Sequence, residues 1–122
     1  TTKGSCYCGN VEFQIEKPTS GVTICHCETC QKLTGSTYSS NFGVPAGSVK
    51  ITKGQVKEYI DDKTNSGKAI SRYFCGDCGS PIYAAPQSMP DVNFVKAGAL
   101  ENFASYPVDA QIYIEQGSSW AK

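Results

Sequence analysis

Apolar and polar residues alternate without a break through Val11-Glu12-Phe13-Gln14-Ile15-Glu16, the two-residue period of a strand with one face buried. Pro18 and Gly21 end that segment, and Val22-Thr23-Ile24 predicts a short strand that delivers Cys25. After Cys30, Gln31-Lys32-Leu33-Thr34 has room for one helical turn before Gly35 stops it. Tyr38 to Val44 reads as a further strand, and Pro45, Gly47 and Gly54 bracket another at Val49-Lys50-Ile51-Thr52. Alternation returns at Val56-Lys57-Glu58-Tyr59-Ile60. The polar cluster Asp61 to Gly67 predicts a hairpin loop, and its return strand, Ala69 to Phe74, runs straight into Cys75. Val92-Asn93-Phe94-Val95 and Ile112-Tyr113-Ile114 predict the last strands, with one short helical turn between them at Ala99 to Phe103. The pattern describes a mainly β domain of short strands, with at most short helical turns.

A chain of 122 residues is the size of one domain, 1–122, and metal cross-links would help a core this small and this rich in glycine. Eleven basic and eleven acidic side chains balance, with no run of like charge, which argues against nucleic acid and against an anionic membrane surface. No apolar run approaches the roughly 20 residues of a membrane span. The segment Thr1-Thr2-Lys3-Gly4-Ser5 has no apolar stretch to serve as a signal peptide.

The seven cysteines change the picture most. An odd number suits a disulfide framework poorly, and all seven fall into three tight clusters. Zinc in a reducing compartment accounts for them better, so a cytoplasmic or nuclear location is expected. Cys75-Gly76-Asp77-Cys78, at the end of a predicted hairpin strand, is a half-site for tetrahedral zinc, with Gly76 and Gly79 supplying backbone freedom. Cys6-Tyr7-Cys8-Gly9 is a second half-site, and the two together make a closed four-cysteine structural site. A redox dithiol at Cys75 and Cys78 is disfavoured, because the motif does not open a helix after a strand.

Cys25-His26-Cys27-Glu28-Thr29-Cys30 is different in kind. Cys25, Cys27 and Cys30 give three thiolates to a second zinc and leave one tetrahedral position open, as catalytic sites do. A thiol that coordinates zinc is deprotonated near neutral pH and attacks carbonyls, so a small thiol and an aldehyde are the chemistry suggested. His26, the single histidine, is either a fourth ligand or a locally hydrogen-bonded side chain. Glu28 is either an acid–base group beside the zinc or a cap for the following turn.

Gly4-Ser5-Cys6-Tyr7-Cys8-Gly9-Asn10-Val11, the run from Cys25 to Ser36, and Phe74-Cys75-Gly76-Asp77-Cys78-Gly79-Ser80-Pro81 together resemble the glutathione-dependent formaldehyde-activating enzyme family, which also includes centromere protein V. Ala97-Gly98-Ala99-Leu100, Pro107 and Trp120 add weaker matches, so the resemblance covers nearly the whole chain in order. It implies small coiled β-sheets around zinc, called a β-tent. It also implies two zincs per chain, one on Cys6, Cys8, Cys75 and Cys78 and the catalytic one on Cys25, Cys27 and Cys30. The implied reaction adds glutathione to formaldehyde, a carbon–sulfur lyase reaction run in reverse. Gln31 stands where the family usually has arginine, and Glu101 follows Leu100 where an aspartate is frequent.

For the glutathione carboxylates, Arg72 and Lys32 are the candidate cations. Tyr38, Phe42, Tyr73 and Trp120 are candidate pocket walls, although core packing is the commoner role of such aromatics. Thr34 and Ser36 are candidates to orient a zinc-bound group, or are turn hydroxyls. Two classes of function follow. One is an enzyme joining glutathione or another thiol to an aldehyde, with a larger thioether or aldehyde as a variant. The other is a non-catalytic, zinc-stabilised binding module.

Overall fold

The structure, a computed structural model, describes residues 1–121. It is mainly β. Its strands are β1 (Thr2–Ser5), β2 (Glu12–Ile15), β3 (Val22–Cys25), β4 (Ser39–Pro45), β5 (Lys50–Lys53), β6 (Val56–Asp61), β7 (Ile70–Cys75), β8 (Pro81–Pro86), β9 (Val92–Lys96) and β10 (Val108–Ile112). Among the described residues the one α-helix, α1, is Glu28–Thr34, and short 3₁₀ turns follow β9. β1, β2 and β5 form a small sheet in that order, and the other strands form a seven-stranded sheet ordered β10-β3-β4-β9-β8-β7-β6. Every pairing is antiparallel except that of β10 with β3.

The predicted alternation decides which face of each strand is buried. Phe13 and Ile15 of β2 enter the core beside Val11, and Glu12 stays in solvent. Phe42 and Val44 of β4 and Val95 of β9 meet them from the large sheet. Phe13 and Phe42 are fully buried, each worth about 1.5–3 kcal/mol of hydrophobic stabilisation. The opposite face of the large sheet carries Ser39 and Asn41 on β4 and Phe94 and Lys96 on β9, and it lines an open cavity. Cross-strand partners continue that face from Cys25–Ser39 through Asn41–Lys96 and Phe94–Ala84 to Arg72.

Several elements differ from the sequence expectation. β8 runs from one proline to another, and the prolines sit at the strand's two ends, where a missing N–H costs the ladder least. β1 is a polar tetrapeptide with no apolar period, held by pairing along β2. The predicted strand Ile112-Tyr113-Ile114 ends at Ile112, because Tyr113 takes φ 55° and Ile114–Gln116 forms a 3₁₀ turn. The single turn expected from Ala99 to Phe103 is two, Ala97–Ala99 and Phe103–Ser105, separated by Asn102 at φ 59°. No helix among the described residues is long and apolar enough to cross a membrane.

Candidate metal centre

Two turns far apart in sequence bring four sulfurs together. The β1–β2 turn carries Cys6 and Cys8, and the β7–β8 turn carries Cys75 and Cys78, with all four sulfurs within 4.8 Å of one another. Each turn closes on a glycine with positive φ, Gly9 at 82° and Gly79 at 78°, a backbone state that a side chain disfavours. Gly76 is not in that state; a side chain there would instead meet Lys57. Backbone amides point at the sulfurs, Val11 N–H to Cys6 Sγ at 3.3 Å and Asp77 N–H to Cys75 Sγ at 3.4 Å. Sulfur pairs stand at 3.6 Å (Cys6–Cys8) and 3.8 Å (Cys8–Cys75). Four thiolates held about 2.3 Å from a tetrahedral ion are about 3.8 Å apart, whereas a disulfide would bring two of them to about 2.05 Å. The donor set and its spacing fit a metal ion.

The second cluster is assembled locally. Cys25 ends β3, Cys27 is the N-cap of α1, and Cys30 lies in its first turn, so strand, cap and helix aim three sulfurs within 4.8 Å of one another. Cys27 Sγ accepts the Cys30 N–H at 3.3 Å, in the role usually taken by a serine or aspartate oxygen. Gly35, at φ 64°, ends the helix as expected. All three cysteines open on a cavity of about 790 Å³ that runs along the polar face of the large sheet. A larger cavity of about 1000 Å³ touches none of these three cysteines.

Three thiols this close cannot all ionise without a cation. The hydrogen bond with Cys30 pushes the Cys25 thiol up, with burial adding to it. Cys30 is drawn down to about 5, first by the hydrogen bond from Cys25 and then, against burial, by the Ser39 side chain and the charge of Lys96. One negative charge is thus favoured on Cys30 while Cys25 keeps its proton, and a divalent ion would remove the conflict.

His26 is not a fourth member of this cluster. It is fully buried, its Nε2 shares a 2.8 Å hydrogen bond with Gln111 Oε1, and its ring meets Tyr38 edge-on. It belongs to a clamp in which residues 111–117 grip the cysteine loop. His26 N–H donates to Ile112 O, Glu28 N–H to Gln116 Oε1, and Gln31 Nε2 to the carbonyls of His26 and Gln116. Gln31, at the family's arginine position, is therefore a structural strut. Gln111 and Gln116 are members of this clamp that sequence reasoning missed, since isolated glutamines carry no pattern.

The candidate pocket residues divide. Arg72 lines the cavity of the triad, but its Nε and Nη2 both hold Asp61 Oδ2 at 2.9 Å. Lys32 is exposed and lines neither cavity. Phe42 belongs to the core, Tyr73 stacks on Tyr83, and Trp120 is 79% exposed and away from both cavities. Thr34 and Tyr38 line the larger cavity, and Thr34 Oγ1 donates to Cys30 O and receives the Ser36 N–H, the turn-forming role. Glu28 lies exposed at the rim of the triad's cavity. The cation that sequence reasoning overlooked is Lys96, half-buried in the cavity wall. Burial lowers its pKa, and the Cys30 thiolate opposes that shift.

Comparison with known proteins agrees with this geometry. The family model described as glutathione-dependent formaldehyde-activating enzyme matches residues 1–116. An uncharacterized lyase of Schizosaccharomyces pombe is 28% identical over 120 residues, 93% of this chain and 78% of that protein. A Penicillium rubens protein provisionally named a glutathione-dependent formaldehyde-activating enzyme is 31% identical over 80 residues, 64% of this chain and 40% of its own. The crystal structure of a Rhodobacter sphaeroides protein shares the fold with a TM-score of 0.67 at 20% identity, covering 89% of this chain and 98% of that one. Matched over residues 1–116, with two cysteine clusters poised to hold metal, this chain belongs to the glutathione-dependent formaldehyde-activating enzyme family.

Proposed function

We propose that this chain is a zinc-dependent enzyme that forms and breaks carbon–sulfur bonds, joining glutathione or another thiol to formaldehyde or another small aldehyde. The observation that carries this reading is the asymmetry of the clusters. One offers four sulfurs, the other three, and the three face an open cavity. In this reading the chain is one domain in which Cys6, Cys8, Cys75 and Cys78 hold a structural zinc. Cys25, Cys27 and Cys30 hold a second and leave one position for substrate. When bound there, zinc supplies Lewis acidity and a coordination place for the thiol sulfur or the aldehyde oxygen.

The reaction balances simply. The thiol sulfur bonds to the carbonyl carbon, the π electron pair moves onto oxygen, and the thiol proton ends there as a hydroxyl. The reverse breaks the same carbon–sulfur bond. The chain's own contribution is placement. The β3 end and the capped helix fix the three sulfurs, and the 111–117 clamp fixes the loop between them. The cavity would bring both substrates to one point, which turns a bimolecular encounter into an effectively unimolecular step.

The test is to follow S-hydroxymethylglutathione formation by exchange NMR, using zinc-loaded protein with formaldehyde and glutathione and a Cys27→Ser control. Acceleration that the control lacks supports the reading; a rate equal to the spontaneous one removes the named activity. Metal counting separates the enzyme from a binding module. The enzyme predicts that one zinc is chelated readily with the fold retained, and the module predicts that both metals and the fold go together.

A further inference from the structure

Side chains on the polar face of the large sheet form a chain of two hydrogen bonds that leads toward the triad. Lys96 Nζ donates to Asn41 Oδ1 at 2.9 Å, and Asn41 Nδ2 donates to Ser39 Oγ at 3.1 Å. Ser39 then lines the same cavity as Cys25 and Cys30, opposite Cys25 in the sheet, and its side chain helps to lower the Cys30 thiol's pKa. Ser39 and Asn41 are 3% and 8% exposed, so neither has solvent as a ready alternative partner. The sheet register builds the row. Asn41 is the cross-strand partner of Lys96, Ser39 is that of Cys25, and Ser39 and Asn41 point to one face because they are two apart on β4.

The first link sets the direction of the rest. An ammonium has donors only, so Asn41 must turn its oxygen to Lys96 and its NH₂ to Ser39. A hydroxyl that accepts from Asn41 keeps its own proton free, and that proton has the Cys30 sulfur to go to. Charge points the same way. Among the described residues the ion pairs are Lys53–Glu12 and Arg72–Asp61, so Lys96 faces the cavity with a neutral amide as its partner. Three thiolates around a divalent ion leave one net negative charge to compensate.

We propose that Lys96, Asn41 and Ser39 are a positioning relay, which aims a hydroxyl proton at the Cys30 sulfur and balances the net negative charge left when Cys25, Cys27 and Cys30 hold a divalent ion. The inference rests on the three-thiolate metal site proposed above and adds to it the groups that tune it. A hydrogen bond to the sulfur favours the thiolate that binds the ion and fixes its direction, so losing it should weaken the metal.

Asn41→Asp tests the direction of the relay with almost no change in shape. The aspartate still accepts from Lys96 but has no N–H for Ser39, so Ser39 must donate to it and turn its proton from Cys30. Competition with a chromophoric chelator is expected to show zinc affinity at the triad lowered about 10–100-fold, the usual effect of losing an outer-shell partner, with the four-cysteine site still loaded. Ser39→Ala removes the last link, should give the same loss, and carries the test if Asn41→Asp fails to fold. Lys96→Met should weaken zinc similarly, and Lys96→Arg, another donor-only cation, should restore it. Wild-type zinc retention in Ser39→Ala would overturn the relay, and so would equal zinc loss in Lys96→Arg and Lys96→Met. The readout is metal retention, so a chain that keeps this zinc pattern yet fails to accelerate glutathione addition overturns the proposed substrates and leaves the relay standing.

Discussion

Asp61 and Arg72 allow a quantitative prediction, because their environment is fully specified. Asp61 ends β6 with its side chain 9% exposed, and Arg72 reaches it diagonally from β7 with its side chain 19% exposed. Arg72 Nε and Nη2 meet Oδ2 at 2.9 Å, and the Lys63 N–H donates to Oδ1 at 3.0 Å. In Asp61→Asn the new NH₂ must face either the guanidinium or the Lys63 amide, so one donor is set against another in both orientations. Breaking a buried pair on one side costs about 3–5 kcal/mol, and the partial exposure of Arg72 places this case near 3. With an unfolding entropy of about 2.1 cal/mol/K per residue, roughly 0.26 kcal/mol/K for this chain, the melting temperature should fall by about 12 °C.

The pH behaviour of that pair is defined as well. Burial raises the Asp61 pKa, but the Lys63 amide and the Arg72 charge outweigh it, so the carboxyl lies below its ordinary value. A depressed acid contributes stability above its unfolded pKa of about 3.9 and loses it as pH falls through the folded value. The difference between wild type and Asp61→Asn should therefore stay constant from pH 8 to 5. Thermal melts by circular dichroism on zinc-loaded protein measure it. The double variant Asp61→Leu with Arg72→Met should recover most of the loss, since apolar replacements of both partners are frequently neutral. A shift under about 1 kcal/mol, roughly 4 °C on the same scale, would show that Arg72 and Asp61 do not act as a buried pair. So would a difference that varies across that pH range.

Other expectations bear on the site and its frame. A side chain at Gly117 would place its Cβ 2.7 Å from His26 Nδ1, so Gly117→Ala should cost about 1–3 kcal/mol in urea unfolding; an unchanged midpoint would show that the clamp yields freely. After mild chelation of the triad, iodoacetamide at pH 6.5 should label Cys30 before Cys25, with the Cys30 rate falling as pH drops through about 5. Peptide mass spectrometry reads the order, and labelling of Cys25 first would contradict the sharing of the proton. Cys78→Ser removes one of the sulfurs joining the β1–β2 turn to the β7–β8 turn and should abolish cooperative melting, whereas Cys27→Ser should keep it. Equal melts for the two variants would erase the distinction between a structural and an open site.

How much of this was legible depended on whether a feature repeats locally. The alternation at Val11 to Glu16 and at Val56 to Ile60 marks strands because buried and exposed faces differ every second residue. The strand Pro81–Pro86 was not among the expected elements; its prolines are tolerable only because they sit at the strand's ends, a position that tertiary pairing defines. Ile112-Tyr113-Ile114 looked like a strand from its apolar content, but its backbone turns at Tyr113 to let Gln116 reach Glu28. His26 had two readings until its partner Gln111 was placed. Lys96 drew no notice, since a lysine ending a strand is ordinarily solvated.

The mainly β class, the family, and the division of seven cysteines into one set of four and one of three could be read from the residues alone. Short-range spacing marks each cysteine cluster, because a turn or helix converts it directly into sulfur positions, and the matching motifs carry the family; the meeting of the two distant pairs is the work of the sheets. The tertiary structure decided which cations serve the site, because pairing is a property of strands distant in the chain. It paired Arg72 with Asp61, left Lys32 in solvent, and set Lys96 beside Asn41 on the face shared with Cys25. It also decided that His26 faces Gln111 and not the metal cluster, since only the parallel packing of β10 on β3 brings that glutamine within reach.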